Sequence, residues 1–254
     1  MQLRAYILHL TRASARRENA QALLQDCGVA GGLWPAVDGA NMSSTDLTEV
    51  VGAQLFEPEY PFALKTGEIG CFLSHRQIWA DLQSRPEDAA LIIEDDAAID
   101  TDVYELAINL AVSNIDQLGY VQLQTRMTDG PAALVDTNGP CQLTLPQLGG
   151  LRTTAQIVSK DAAAHLLRLT EVIDRPVDTF VQCHWHTLLR PGRIYPSGIR
   201  EIGNQLDGST IQGGAKKPLL AKLTREVARS RYRRAVTRLS AASTAPDKGG
   251  LDHG

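Results

Sequence analysis

Hydrophobic and polar positions follow two different periods along the first two thirds of the chain. Runs of β-favouring residues predict five strands, at 4–10, 33–39, 89–96, 119–124 and 150–159. Apolar residues at helical spacing predict three helices, at 11–28, 66–84 and 160–169. Strands that alternate with helices are typical of an α/β fold, so we expect a mostly parallel sheet flanked by helices on both faces.

Residues that begin or end helices support these boundaries. Gly28 stands where the first helix should stop, and Glu68 lies in the first turn of the second, where the helix dipole favours an anion. Ser159 directly precedes the third helix and is placed to cap it.

Composition limits the class of protein. The 254 residues are 43% hydrophobic and 21% charged, which is ordinary for a globular protein with a sizeable core. The four cysteines are scattered without a CxxC pair, which favours reduced thiols. The chain begins without a signal-peptide pattern and has no run of roughly 18 apolar residues. We therefore expect a cytoplasmic protein.

Charge is distributed unevenly. The net charge is −4, but residues 215–240 hold nine Lys and Arg against one acid, a local charge of +8 that leaves −12 on the rest. We expect a globular domain at 1–214, a basic amphipathic helix at 215–240 and a disordered tail at 241–254.

Five apolar residues lie roughly along one side of the basic segment: Leu220, Leu223, Val227, Ala235 and Leu239. Such a helix suits an anionic membrane surface, whereas the acidic body argues against nucleic acid.

Three carboxylates stand at the end of the predicted strand 89–96. Ligands of open α/β sheets bind beyond the carboxyl ends of strands, and Glu94, Asp95 and Asp96 lie at such an end. Alternation along an extended segment sends Glu94 and Asp96 to one side and Asp95 to the other. The first pair could converge on Mn²⁺ or Mg²⁺, which commonly bridge carboxylates to a diphosphate. A solvated acidic turn is the alternative, and both interpretations remain open.

Several motifs, taken in order and spacing, resemble glycosyltransferase family 25, the lipooligosaccharide galactosyltransferase-like family. The resemblance covers about residues 3–212. Its motifs are "YILHLTRASARRENA", "AVDG", "GEIGCFLSH", "IIEDD", "TTAQIVSKDAAAHLL", "RPVD" and "GSTI" (208–211). It implies a GT-A-type nucleotide-sugar fold, an inverting transfer from UDP-galactose, and a divalent metal at a DXD-like motif that here reads E-D-D.

Site residues follow from the motifs and the resemblance together. Glu94 and Asp96 are the expected metal ligands, with His184 as a further candidate from the segment "CHWH". Asp178 in "RPVD" is the candidate catalytic base, although an Asp there could instead be the N-cap of the following helix. The expected donor-binding residues are Arg12, Arg17, Ser74, His75, Asp95, Thr153 and Thr154.

The sequence therefore predicts a metal-dependent inverting glycosyltransferase that uses Mn²⁺ or Mg²⁺. Its donor would be a UDP-sugar, and its acceptor a lipooligosaccharide or another lipid-linked glycan. The basic helix would hold it peripherally on the inner face of the cytoplasmic membrane. A metal-dependent phosphoesterase and a non-catalytic saccharide-binding protein on the same fold are the alternatives.

Overall fold

The computed structural model describes residues 1–206, 219–243 and 245, with the backbone alone for residues 219–223. The strands are β1 (Leu3–His9), β2 (Gly31–Pro35), β3 (Ala89–Glu94), β4 (Ala97–Ile99), β5 (Tyr120–Leu123), β6 (Ala132–Asn138), β7 (Cys141–Pro146), β8 (Ala155–Ser159), β9 (Gly192–Tyr195) and β10 (Ile199–Glu201). The helices are α1 (Arg17–Asp26), α2 (Ser44–Val50), α3 (Thr66–Gln83), α4 (Thr101–Leu118), α5 (Lys160–Arg168), α6 (Val177–Gln182), α7 (His184–Thr187) and α8 (Leu219–Ala241).

Eight strands form one sheet in the order β2-β1-β3-β8-β5-β9-β7-β6. Their pairings show that β7 and β8 run opposite to the other six strands. The expected α/β fold with a mostly parallel sheet and flanking helices is confirmed. β4 and β10 pair antiparallel in a small second sheet beside the end of β3.

The sheet is buried on both faces, which explains the uninterrupted hydrophobic run of β3. Leu91 and Ile93 pack into one core with α1 and α4, whereas Ala90 and Ile92 pack into the other with α3, α5 and α6. Successive strand residues point to opposite faces, so a central strand needs apolar residues at every position. Each fully buried Ile or Leu contributes roughly 1.5–3 kcal/mol to folding.

One end of each predicted helix is confirmed by its cap, but the first helix begins at Arg17 and not at Thr11, because a 3₁₀ turn precedes it. Gly28, with a φ of 64°, follows the end of α1, and Ser159 accepts a hydrogen bond from the Ala162 amide at the start of α5. Glu68 accepts a hydrogen bond from the Lys65 amide at the start of α3. The predicted strand 150–159 begins only at Ala155, because the residues before it form an irregular loop.

The basic helix predicted at 215–240 corresponds to α8, which packs one face on the body. Val236 and Ser240 are buried, and Tyr232 makes an edge contact with Tyr60 at a ring-centroid distance of 5.5 Å. Val227, expected in the apolar stripe, is 46% exposed on the outer side. No helix in the described ranges combines the length and apolar character needed to cross a membrane. The motif at 208–211 and most of the predicted tail lie outside the described residues.

Candidate active site

A cavity of about 650 Å³ opens at the carboxyl end of β3. The first turns of α3, the loop before β8, the start of α6 and the end of β10 form its other walls, together with Tyr60. Five described carboxylate side chains line it: Glu68, Glu94, Asp96, Asp178 and Glu201. A smaller cavity of about 140 Å³ adjoins it and shares Cys71, Glu94 and Asp96 in its wall. The structure thus brings acids from four parts of the chain to one space.

The three consecutive acids all line the smaller cavity, and Asp95 and Asp96 form a turn directly after β3. Glu94 and Asp96 line both cavities, whereas Asp95 lines only the smaller one. Burial raises the pKa of Glu94 to about 7, and the nearby charge of Asp96 adds to the rise. Burial also raises the pKa of Asp96 above its ordinary value. Two carboxylates that each resist ionisation here would be relieved by a bound cation.

Asp95 is held by His9 and Arg16. His9 Nδ1 lies 2.9 Å from Asp95 Oδ2, and Arg16 Nη1 donates to Asp95 Oδ1 at 3.0 Å. Arg16 Nη1 also donates to Asp96 Oδ2 at 3.2 Å. The buried Arg16 side chain therefore fixes two of the three acids, although the sequence singled out its neighbours Arg12 and Arg17.

The two predicted donor-binding arginines lie in different surroundings. Arg12 lines the smaller cavity and donates from Nε to Asp38 Oδ2 at 2.6 Å. Arg17 is exposed on α1 and lines neither cavity. Three nearby arginines look alike in sequence, and the 3₁₀ turn Ser14–Arg16 decides that Arg16 points inward.

Ser74 and His75 are neighbours on α3 with different environments. The Ser74 hydroxyl donates to the Gly70 carbonyl at 2.6 Å and accepts from the Val37 amide at 2.8 Å in the wall of the smaller cavity. His75 is fully buried and lines neither cavity; its Nδ1 donates to the Cys71 carbonyl at 2.9 Å. Burial lowers the pKa of His75 to about 4.

Thr153 and Thr154 lie in the loop before β8 and hold carboxylates of the larger cavity. Thr153 Oγ1 donates to Glu94 Oε1 at 2.8 Å, and Thr154 Oγ1 donates to Glu201 Oε1 at 3.2 Å. The preceding residue, Arg152, forms an ion pair with Glu201. These three consecutive residues orient acids from β3 and β10, a role that their sequence does not reveal.

Asp178 lies in the first turn of α6, and the prediction that it is the N-cap is wrong, because Pro176 occupies that position. The Asp178 carboxylate accepts from the Thr179 amide at 2.6 Å and the Thr179 hydroxyl at 3.2 Å. Burial raises the pKa of Asp178 even though these hydrogen bonds favour the charged form. The side chain lines the larger cavity together with Glu94 and Asp96.

His184 lies away from Glu94 and Asp96. Its Nε2 donates to the Gln147 carbonyl at 2.8 Å, and its Nδ1 lies 2.8 Å from the Ser243 hydroxyl beyond α8. The imidazole is buried and lines neither cavity, so it does not complete a metal site with Glu94 and Asp96. Burial lowers the pKa of His184.

The fit of a divalent cation therefore rests on two carboxylates. Within residues 1–206, 219–243 and 245, no group of three or more His, Cys, Asp or Glu side chains is arranged to hold a metal. Mn²⁺ and Mg²⁺ prefer oxygen ligands, and Mg²⁺ is often held by one or two carboxylates, substrate phosphates and water. Glu94 and Asp96 fit that pattern of partial coordination.

Comparison with known proteins links the first half of the chain to one group. A family model described as "Glycosyltransferase family 25 (LPS biosynthesis protein)" matches residues 2–134. A glycosyltransferase 25 family member of Drosophila melanogaster is 36% identical over 97 residues, which cover 37% of this chain and 16% of that protein. Procollagen galactosyltransferase 1 of Danio rerio is 34% identical over 95 residues, covering 36% and 16%. An inactive glycosyltransferase 25 family member 3 of Homo sapiens is 34% identical over 101 residues, covering 38% and 17%.

The chain thus matches only about a sixth of the length of these relatives. Among solved structures, a glycosyltransferase involved in glycosylation of the PBCV-1 major capsid has a TM-score of 0.34 at 12% identity, with 66% of this chain and 65% of that chain covered. A galactosyltransferase in complex with donor and acceptor sugar analogues has a TM-score of 0.34 at 10% identity, with 97% of both chains covered. These TM-scores are too low to support an argument about function.

The matched segment contributes only part of the larger cavity. Glu68, Glu94 and Asp96 lie within residues 2–134. Asp178 and Glu201 lie beyond it, as does the loop that contains Arg152.

Proposed function

The chain belongs to glycosyltransferase family 25, and from that premise we propose that it transfers a hexose from a nucleotide-sugar donor to a glycan acceptor. We further propose UDP-galactose as the donor and inversion at the anomeric carbon. The observation that carries the proposal is the meeting of Glu94, Asp96 and Asp178 around one cavity.

The chemistry of glycosyl transfer explains why acids are needed at two places. Breaking the bond to the donor sugar leaves a diphosphate whose negative charge must be neutralised. A bound Mn²⁺ or Mg²⁺ would supply the positive charge that does so. Glu94 and Asp96 would hold that ion. Thr153 supports this arrangement by fixing one oxygen of Glu94 through its hydroxyl.

Asp178 is our candidate for the base. Inversion in one step requires a group that takes the proton of the acceptor hydroxyl as that oxygen attacks the sugar. Burial raises the pKa of Asp178 and so makes its carboxylate a stronger base than an exposed Asp. The Thr179 amide and hydroxyl both bind Oδ1, which fixes the orientation of the group.

We propose that the acceptor is a lipid-linked saccharide, such as a lipooligosaccharide, reached at the inner face of the cytoplasmic membrane. The support is the outer side of α8, where Arg231, Arg234 and Arg238 are exposed at helical spacing. We call these three residues the arginine stripe. Because α8 packs its buried residues on the body, the membrane contact would be electrostatic rather than an insertion of apolar side chains.

A donor panel tests the proposed reaction. We expect the wild type to release UDP from one UDP-sugar in the presence of Mn²⁺, and Asp96→Ala to lower the rate by about 100-fold or more. Asp102→Ala is the matched control, because Asp102 is an exposed acid on α4 outside both cavities, and its rate should be unchanged. Wild-type rates in Asp96→Ala would remove the metal-binding role of that residue.

A non-catalytic saccharide-binding protein is the second candidate, favoured by the human relative named inactive. It would bind a UDP-sugar or a glycan without releasing UDP from any donor. If the protein neither binds these ligands nor releases UDP, the metal-dependent phosphoesterase becomes the favoured interpretation.

A further inference from the structure

Arg152 has a backbone conformation that L-residues rarely adopt, with a φ of 110°. Both of its main-chain groups contact residues around the site. Its carbonyl accepts a hydrogen bond from Gln122 Nε2 at 3.3 Å, and its amide helps to lower the pKa of Asp178 against the effect of burial. Strained residues persist when their surroundings hold them, and they concentrate at ligand sites. The surroundings therefore hold the backbone of Arg152 in this conformation, and its side chain is directed from there into the cavity lining.

The charged side chains that line the larger cavity are mostly negative. Among the described residues that line the cavity, Arg152 alone has a cationic side chain, against five carboxylates. The carboxylates of Asp178, Asp96 and Glu94 all act electrostatically on its guanidinium. An anionic ligand entering this space would be repelled by most of the wall and attracted by Arg152.

The present partner of Arg152 is easily exchanged. The ion pair with Glu201 is solvent-accessible, with side chains 34% and 36% exposed, so it contributes little net stability. Glu201 would keep its hydrogen bond from Thr154 if the guanidinium turned away. A guanidinium fork matches two phosphate oxygens as well as it matches a carboxylate.

We propose that Arg152 binds the diphosphate of the nucleotide-sugar donor and releases Glu201 when the donor enters the cavity. This inference rests on the proposed function, because it takes the ligand to be a nucleoside diphosphate. It adds a diphosphate-binding residue that lies outside the segment matched by the family model.

The test compares two ligands that differ only in the diphosphate. Binding of UDP and of uridine to the full chain is measured by ligand-observed NMR titration with Mg²⁺ present. We expect Arg152→Gln to weaken UDP binding by about tenfold or more and to leave uridine binding unchanged. Arg85→Gln is the matched control, because Arg85 is 39% exposed, pairs with Asp81 and lines neither cavity; both affinities should stay at wild-type values.

The possible results distinguish failure of the Arg152 inference from failure of the proposed UDP donor. Unchanged UDP binding in Arg152→Gln would overturn the inference alone, and so would equal weakening of UDP and uridine, which would indicate a structural role. A wild type that binds neither ligand would overturn both the inference and the proposed UDP donor.

A second variant tests the exchange itself. Glu201→Gln removes the competing negative charge, so UDP binding should become several-fold tighter. Unchanged or weaker UDP binding in that variant would show that Glu201 is not displaced.

Discussion

Burial decides the behaviour of His75. The side chain is fully buried on α3, and burial lowers its pKa to about 4. In the unfolded chain a histidine has a pKa of about 6.5. The folded state therefore binds fewer protons than the unfolded state between these values, and stability falls as the pH falls from about 6.5 to 4.

His75→Gln should remove this pH dependence. Glutamine does not titrate and can still donate to the Cys71 carbonyl. We expect the wild type to lose roughly 3 kcal/mol of unfolding free energy across this pH window through His75, and the variant to lack that part of the loss. Urea denaturation at a series of pH values measures it. Identical pH profiles would contradict the assignment of His75 as a buried neutral group.

The consecutive acids show how far residue-level prediction reaches. Strand alternation does not describe Asp95 and Asp96, because they form a turn after β3 and both accept a hydrogen bond from Arg16 Nη1. The buried contact of Arg16 with Asp95 joins residues 79 positions apart in the sequence. No local pattern distinguishes Arg16 from the neighbouring arginines, so that contact could not be predicted.

At the scale of elements, α8 is more than a basic appendage. Arg175 Nη1 lies 3.5 Å from the Tyr232 hydroxyl, and Tyr60 lines the larger cavity while contacting the Tyr232 ring. At the far end of the helix, Ser240 donates to the Gln147 carbonyl. α8 thus braces segments that lead into the walls of the site, and we expect its removal to impair the body.

A pair of valines on this helix tests that role. Val236 is 3% exposed against the body, whereas Val227 is 46% exposed on the outer side. Val236→Asp should lower the unfolding free energy by about 3 kcal/mol, because it buries an unpaired charge. Val227→Asp should change it by no more than about 0.5 kcal/mol. Equal thermal shifts for both variants would mean that α8 does not dock as described.

Several elements escaped prediction, and two of them did so for different reasons. The helix Thr101–Leu118 follows the acidic turn, so its beginning resembles an extension of that polar stretch. β6 is an edge strand without a buried residue, and its hydrophobic alternation is correspondingly weak. A usable signal was nevertheless present, because Gly139, with a φ of 58°, stands in the two-residue connection between Asn138 and Cys141.

At the scale of the molecule, the arginine stripe defines the side of the protein that we expect to face an anionic membrane. Replacing Arg231, Arg234 and Arg238 together with Gln should weaken binding to anionic vesicles by about 100-fold, since each basic residue near such a surface contributes about 1 kcal/mol. A charge-matched control replaces three exposed arginines elsewhere, Arg126, Arg168 and Arg200. Sedimentation with phosphatidylserine vesicles measures both. Similar binding by the two triple variants would retire the membrane-facing orientation.

The sheet class could be predicted from the alternation of elements, but the complete site could not. Glu94 and Asp96 follow a recognisable strand, so sequence alone locates them. Their companions depend on strand order, which brings Thr153 to Glu94 across 59 positions and Thr154 to Glu201 across 47. Contacts between residues so far apart in the sequence leave no periodic pattern from which they could be predicted.

Strand order also has a consequence for a chain emerging from the ribosome. β8 lies between β3 and β5, and β9 lies between β5 and β7, although both are synthesised after all of these neighbours. Until they arrive, the earlier strands remain separate pieces with open edges, which are prone to pair wrongly. The last strands to be made therefore close the sheet, and the acids of the larger cavity stay apart until translation has nearly finished the body.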